Sequence, residues 1–339
     1  MVAGVPYVLV DTNLWISHRL LTSPVASSFL YFLARTEGLL VVPEVVEREV
    51  RRNAERLGAE AVRAIADGLS EIRHYLGSAP EVTLPKSGQF EAGFARRMAS
   101  LSDLVLRVGF TEQHARGALD RVIDGTPPNA PKNQQFKDSA IWEAALEVAS
   151  ARDRLDLLTA DNGFYRDPGS PELAPPLMAE VAQRGLRVHA HRRLEDWISE
   201  VQGSTPALDR EAIADVIERE LRDTIEPATT KHGFSVGGRS VSIEAFATEH
   251  PWQLAITFGL TYDLMDNVAS RAGGTLAVTG ECFVREGSDV AALHLDRLDI
   301  AWTGDSGEPV AHNTVFGRGV AHLGGARQIP LEVRSAPLS

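Results

Sequence analysis

The sequence predicts a three-layer α/β domain with a central parallel sheet, followed by a smaller α+β domain with an antiparallel sheet. Short apolar runs alternate with helical segments over about the first 200 residues, an order typical of a parallel sheet covered by helices on both faces. A stretch rich in Gly, Ser, Thr and Pro begins at Gly203 and reads as a linker. Since the chain has 339 residues, we predict two domains, residues 1–202 and 203–339.

The strands of the first domain are predicted from short apolar runs bounded by turn-forming residues. Each run is too short for a helix and is rich in Val and Leu, which suit strands buried on both faces. The predicted strands are residues 7–10, 39–42, 155–159 and 185–188.

The helices of this domain are predicted from apolar residues at helical spacing. Pro43 suits the first turn of a helix, and Ile141, Ala144 and Val148 lie on one face of another. Between the second and third strands, residues 58–130 predict a helical insert with a Pro/Gly break at 77–88. The predicted helices are a segment through residues 28–33, then 44–57, 111–122, 136–151, 176–184 and 193–201.

The second domain is predicted as one helix followed by strands. Alternating segments separated by Gly, Asn and Asp indicate an antiparallel sheet with a helix packed on it. The helix is predicted at residues 209–225 and the strands at 240–247, 252–262, 274–285, 291–303 and 314–321. These residues resemble no family that we know, so the sequence predicts no role for this domain.

The composition excludes several classes of protein. Cys282 is the single cysteine, so the chain can form no internal disulfide, which is typical of a reducing compartment. No apolar run approaches the length of a membrane span, and residues 1–11 lack the features of a signal peptide, so we expect a cytoplasmic protein. The net charge of −12 does not indicate nucleic-acid binding. It does not exclude such binding either, because a catalytic site built from carboxylates is itself acidic.

Four acidic residues occupy positions that a parallel sheet can bring together. Asp11 and Asp161 follow the first and third predicted strands, and ligand sites of such sheets lie at the carboxyl ends of the strands. Glu49 lies in the helix after the second strand, and Asp138 lies in the first turn of the helix from residue 136. Hard divalent cations prefer carboxylate oxygens, and such cations support phosphodiester hydrolysis.

Four segments around these acids resemble the signature segments of PIN-domain ribonucleases, and in particular a PIN-like group with an extended helical insert. The segments are VLVDTN at 8–13, VPEVVEREV at 42–50, FKDSAIWEAALEVA at 136–149 and LLTADNGFY at 157–165. The resemblance covers about residues 5–198. It implies a PIN-like fold, single-stranded RNA as substrate and dependence on Mg²⁺ or Mn²⁺. The family's four acids fall on Asp11, Glu49, Asp138 and Asp161.

At some positions in or near these segments, more than one residue or role is possible. The second segment offers Glu47 as well as Glu49, and we choose Glu49 by its spacing after Pro43, because Glu47 lies about 200° around the helix. The fourth segment often carries a further acid where this chain has Gly163. We expect Asn13 and Thr159, on supporting polar positions, to contribute to substrate binding. Lys132 and Lys137 are either phosphate contacts or part of a solvated loop.

The resulting hypothesis is a metal-dependent endoribonuclease in which these four acids hold Mg²⁺ or Mn²⁺. A toxin or a defence and stress RNase is the role we favour, with an inhibitory protein as partner and a homodimer as an open alternative. The alternative function is a non-catalytic module that binds nucleic acid or protein on a PIN-like scaffold.

Overall fold

The computed structural model describes residues 5–129, 134–152, 154–203, 208–266, 273–285, 289–304, 308–315, 321–323 and 326–328. The strands are β1 (Tyr7–Val10), β2 (Leu39–Pro43), β3 (Val105–Val108), β4 (Leu155–Leu158), β5 (Val188–His191), β6 (Phe234–Ala247), β7 (Gln253–Asp266), β8 (Gly274–Arg285), β9 (Asp289–Thr303), β10 (Pro309–Val315), β11 (Ala321–Leu323) and β12 (Ala326–Gln328). The helices are α1 (Thr12–Ser17), α2 (Pro24–Arg35), α3 (Glu44–Leu76), α4 (Gln89–Ser100), α5 (Glu112–Asp124), α6 (Phe136–Ala151), α7 (Pro175–Gln183), α8 (Leu194–Val201) and α9 (Arg210–Thr230).

Two compact units divide the chain. The first comprises Met1–Thr22, Phe29–Arg56 and Lys86–Val201, and the second comprises Ser23–Ser28, Leu57–Pro85 and Gln202–Ser339.

The first unit is built on a parallel sheet with the strand order β3-β2-β1-β4-β5. Strand β1 lies in the middle, where Leu9 is in register with Val41 of β2 and with Leu157 of β4. All three of these side chains are fully buried, as expected for strands covered on both faces. The predicted α/β class is therefore confirmed, and the carboxyl ends of the strands share one edge of the sheet.

Three predicted elements of this unit were wrong in detail. The region 58–130 is not purely helical, because β3 pairs with β2 and extends the sheet. The last strand is β5, Val188–His191, three residues later than predicted. Helix α3 continues from Glu44 to Leu76 without the end predicted near residue 57. By contrast, α6 has the predicted bounds, 136 and 151.

The second unit contains an antiparallel sheet with the strand order β10-β9-β8-β7-β6. Helix α9 packs on it through apolar side chains at helical spacing, among them Ile213, Ile217 and Leu221, which join residues such as Ile256 and Leu276 of the sheet in one core. This arrangement confirms the predicted antiparallel sheet with a helix. Cys282 is buried in the same core.

Among the residues that the structure describes, no helix is both long enough and apolar enough to cross a membrane.

The buried carboxylate of Asp156 links strand β4 of the first sheet to helix α8. Asp156 of β4 is 1% exposed and accepts hydrogen bonds from Arg154 Nε at 2.7 Å and Trp197 Nε1 at 3.0 Å. Burial alone would raise the pKa of Asp156, but the nearby His191 imidazole and the hydrogen bond and charge of Arg154 hold it below its ordinary value. The ionised form of Asp156 therefore stabilises the fold.

We expect Asp156→Ala to lower the free energy of unfolding by roughly 3 kcal/mol at pH 7, because it leaves the buried indole N–H of Trp197 without an acceptor. The folded-state pKa is lowered, so this stability is present above the unfolded pKa and is lost as pH falls through the folded pKa. Urea denaturation at pH 7 and at pH 3 should therefore show a smaller difference from wild type at the lower pH.

Glu200→Gln is the matched control, because Glu200 is exposed and lies 3.6 Å from Arg154. An exposed pair of this kind contributes at most about 1 kcal/mol. Equal losses in the two variants would contradict the role assigned to Asp156.

Candidate active site

Asp11 lies directly after β1 and is 4% exposed. Its Oδ1 accepts a hydrogen bond from the backbone N–H of Thr12 at 2.6 Å, and its Oδ2 accepts one from Thr159 Oγ1 at 2.7 Å. Burial raises the pKa of Asp11 to about 6; these two hydrogen bonds lower it, and the charges of Asp161 and Glu49 raise it. The side chain is therefore held rigidly, in a place where its charge is costly.

Asp161 follows β4 and is tied to Asp11 through Thr159. Its backbone N–H donates to Thr159 Oγ1 at 3.1 Å, and its Oδ1 accepts from the N–H of Gly163 at 2.6 Å. A Cβ at Gly163 would lie 2.4 Å from the carbonyl oxygen of Pro128, so this position has no room for a side chain. The site consequently lacks the further acid that often occupies this position in the family.

Glu49, and not Glu47, lies next to the other acids. Glu49 Oε2 accepts from Thr12 Oγ1 at 3.2 Å, and Oε1 forms an ion pair with Lys137 at the start of α6. Glu47 lies on another side of α3, where its carboxylate is 3.2 Å from Arg107 Nε. The choice made from helical spacing thus agrees with where the two side chains lie.

Asp138 lies in the first turn of α6. Burial raises the pKa of Asp138 to about 7, the charges of Asp11, Asp161 and Glu49 raise it as well, and the charge of Lys137 lowers it. Each of the other three acids therefore acts electrostatically on Asp138. The structure brings together all four acids that the sequence selected.

The residues predicted to support binding lie in different settings. Thr159 is fully buried and its hydroxyl bonds to Asp11 and Asp161, so it positions these acids. The Oδ1 atom of Asn13 is buried and accepts no hydrogen bond from the described residues. Lys137 is 62% exposed beside Asp138, and Lys132 lies outside the described residues.

The sequence profile of one protein family, described as PIN domain, matches residues 8–164, a range that includes all four acids. Residues 8–164 are therefore assigned to the PIN-domain family. No curated protein and no solved structure matches the chain. PIN domains are typically nucleases, and they generally use divalent metal ions.

The side chains of this PIN domain fit such an ion by their chemistry. The site offers carboxylate oxygens, and two of the acids have raised pKa values. A divalent cation relieves each of these costs. Among the described residues, however, no three acidic, His or Cys side chains are already grouped to hold a metal ion. Glu49 Oε1 contacts Lys137 instead, so binding requires this ion pair to open.

Sequence reasoning missed Arg192, which fixes the loop that carries Asp161. Its Nη1 donates to Asn162 Oδ1 at 2.9 Å, its Nε donates to the carbonyl of Ser170 at 2.7 Å, and its guanidinium lies 3.8 Å from the ring centre of Tyr165. Arg192 follows β5, far from the signature segments in sequence, and no pattern in the chain pointed to it.

We expect Asp138→Asn to raise the melting temperature of the metal-free PIN domain at pH 8 by at least about 2 °C, because it removes a charge disfavoured by burial and by three neighbouring acids. The folded pKa is raised, so stability is fully present below the unfolded pKa and is lost as pH rises through about 7. The difference should accordingly shrink at pH 5. Calorimetry of the full chain in EDTA measures it.

Asp120→Asn on α5 is the control, because Asp120 is exposed and lies on another helix. This variant should melt like wild type. A lower melting temperature for Asp138→Asn than for wild type at pH 8 would show that the carboxylate stabilises the apo fold.

Proposed function

We propose that the PIN domain is a metal-dependent endoribonuclease that hydrolyses phosphodiester bonds of single-stranded RNA. The observation that carries the proposal is the meeting of Asp11, Glu49, Asp138 and Asp161, which come from four separate elements and act on one another electrostatically. Acids held close together with raised pKa values are typical of functional sites, which supports the proposal.

The four carboxylates would hold Mg²⁺ or Mn²⁺, which supplies a bound water of lowered pKa and positive charge next to the phosphate. Thr159 and Thr12 orient the acids through the hydrogen bonds already described. Lys137, released from Glu49, has an exposed ammonium beside Asp138 and can bind a phosphate oxygen. Asn13 Oδ1 accepts no hydrogen bond from the described residues, and it would contribute to substrate binding once it becomes accessible.

The wider role that we favour is that of a toxin or of a defence and stress RNase. A cluster of acids at the edge of a sheet suits an inhibitory protein that inserts an Arg or Lys side chain. A non-catalytic binding module remains the competing function, and one observation favours it: the described acids are not already grouped around a metal position. Cleavage assays distinguish the two functions.

We expect Asp11→Asn and Glu49→Gln to lower the rate of RNA cleavage by more than about 100-fold, because each variant loses a charged oxygen ligand. The assay uses end-labelled single-stranded RNA with Mn²⁺, Mg²⁺ or EDTA, and it is run on the full chain. Wild type should cut only with a divalent ion.

Glu47→Gln is the matched control for Glu49→Gln, since it changes the same residue type on the same helix outside the acidic cluster. This variant should cut at close to the wild-type rate. Metal binding by wild type without cleavage of RNA or DNA would support the binding module instead.

Lys137→Met tests the proposal that the ammonium of Lys137 leaves Glu49 and binds a phosphate of the RNA. In an Asp11→Asn background, we expect it to weaken binding of single-stranded RNA and to reduce the slope of log affinity against log salt by about 0.7, which corresponds to one phosphate contact. In the otherwise wild-type chain, we expect tighter Mn²⁺ binding by calorimetry, because a competing cation is removed. An unchanged salt slope would mean that Lys137 contacts no phosphate.

A further inference from the structure

Two phenylalanine side chains of the PIN domain are exposed, although burial of each would be favourable. Phe110 is 38% exposed and Phe136 is 41% exposed, whereas Phe29, Phe94 and Phe164 of the same unit are at most 2% exposed. Burial of a phenyl group stabilises a protein, so this exposure forgoes part of that stabilisation. The two rings contact each other and together form a small exposed apolar patch.

Both rings lie at the sheet edge where the four acids meet. Phe110 follows the carboxyl end of β3, and its backbone N–H donates to Glu44 Oε2 at 2.8 Å, at the start of α3. Phe136 is the first residue of α6, directly before Lys137 and two residues before Asp138. The two ring centres are 6.4 Å apart at an angle of 70°, an edge-to-face contact.

We call the pair Phe110 and Phe136 the platform. The side chain of His114 packs against its Phe110 ring. The ring of His114 lies 6.2 Å from that of Phe110 and is buried, and its Nε2 is 2.6 Å from a carboxylate oxygen of Glu147. Thr111 caps α5 through a hydrogen bond from the backbone N–H of His114. The contact with this buried ring restricts Phe110, so the side chain of Phe110 loses less conformational entropy when a ligand binds.

Exposed cations accompany the platform on the same elements. Lys137 is next to Phe136 in sequence, Arg107 lies in β3 and is 57% exposed, and Arg48 lies in the first turns of α3 and is 73% exposed. Each of them is paired with a glutamate, so a phosphate would have to compete with that carboxylate. Aromatic rings for bases and cations for phosphates are the components of a site for single-stranded nucleic acid. Two phenyl rings form too small an apolar patch for a stable protein interface, which buries about 1,200–2,000 Å².

We propose that Phe110 and Phe136 form a stacking subsite that holds one unpaired nucleobase at the sheet edge that carries the acidic cluster. This inference rests on the proposed function, and it adds how the domain selects its substrate. A base within a duplex is already stacked and paired, so it cannot occupy the platform without leaving the helix. The subsite therefore selects single-stranded over double-stranded RNA independently of base sequence.

The test is binding, measured by fluorescence anisotropy on the full-length Asp11→Asn chain with Mn²⁺. The probes are a labelled single-stranded RNA of about 12 nucleotides, the same backbone with abasic positions, and the corresponding duplex. We expect Phe110→Ala and Phe136→Ala each to weaken binding of the single strand by about 5- to 100-fold, and to change binding of the abasic strand less than about 2-fold.

Two further variants separate stacking from misfolding and from general apolar contact. Phe136→Trp should bind at least as tightly as the parent, and Phe136→Leu should lose most of the base-dependent affinity, because Leu has no aromatic face. Tyr75→Ala removes a side chain that is 82% exposed on α3 and should change nothing. Equal losses for the normal and abasic strands, losses below about 2-fold in both Ala variants, or no binding of the single strand would overturn the subsite.

Failure of this inference is distinguishable from failure of the proposed function. If wild type cuts no RNA but the Ala variants lose base-dependent binding, the subsite stands and the nuclease proposal fails. If wild type cuts single-stranded RNA and both Ala variants keep its KM, the nuclease proposal stands and the subsite fails.

Discussion

The hydroxyl of Thr159 donates to Asp11 and accepts from the backbone of Asp161, and this short chain of hydrogen bonds joins the ends of the two central strands. Its geometry depends on the parallel pairing of β1 with β4, which brings both carboxyl ends to one edge. Pairing of β1 with β2 on the other side delivers α3 and Glu49 to the same place. Asp11, Asp161 and Glu49 thus depend on these strand pairings, whereas Asp138 comes from α6, the helix that precedes β4.

Repulsion among these acids is the constraint that the site must balance. Burial and neighbouring negative charge raise the pKa values of Asp11 and Asp138, while Lys137 supplies a positive charge close to Glu49. An ammonium satisfies one carboxylate, but a divalent cation can be shared by several. In the proposed nuclease, a divalent cation would offset the cost that the metal-free site carries.

The chain as a whole is acidic, so any attraction for RNA has to come from local groups. The exposed cations on α3, β3 and α6 are paired with carboxylates, which limits long-range attraction of nucleic acid. Contact with bases would then contribute specificity for unpaired strands without a strongly basic surface. Such an arrangement would favour unpaired strands over nucleic acids in general.

Local patterns in the sequence determined much of this protein. Helical spacing defined α6, strand-length apolar runs defined β1, β2 and β4, and spacing after Pro43 selected Glu49 over Glu47, because each depends on neighbours within a few residues.

Strand β3 was decided by tertiary structure: its four residues include an exposed Arg, and it is a strand only because β2 offers a parallel partner. The same holds for the ion pair of Lys137 with Glu49, for Arg192 on the loop of Asp161 and for the contact of Phe110 with Phe136. These pairs lie 26 to 88 residues apart in sequence, so no local pattern encodes them, and the packing of the sheet and helices alone brings them together.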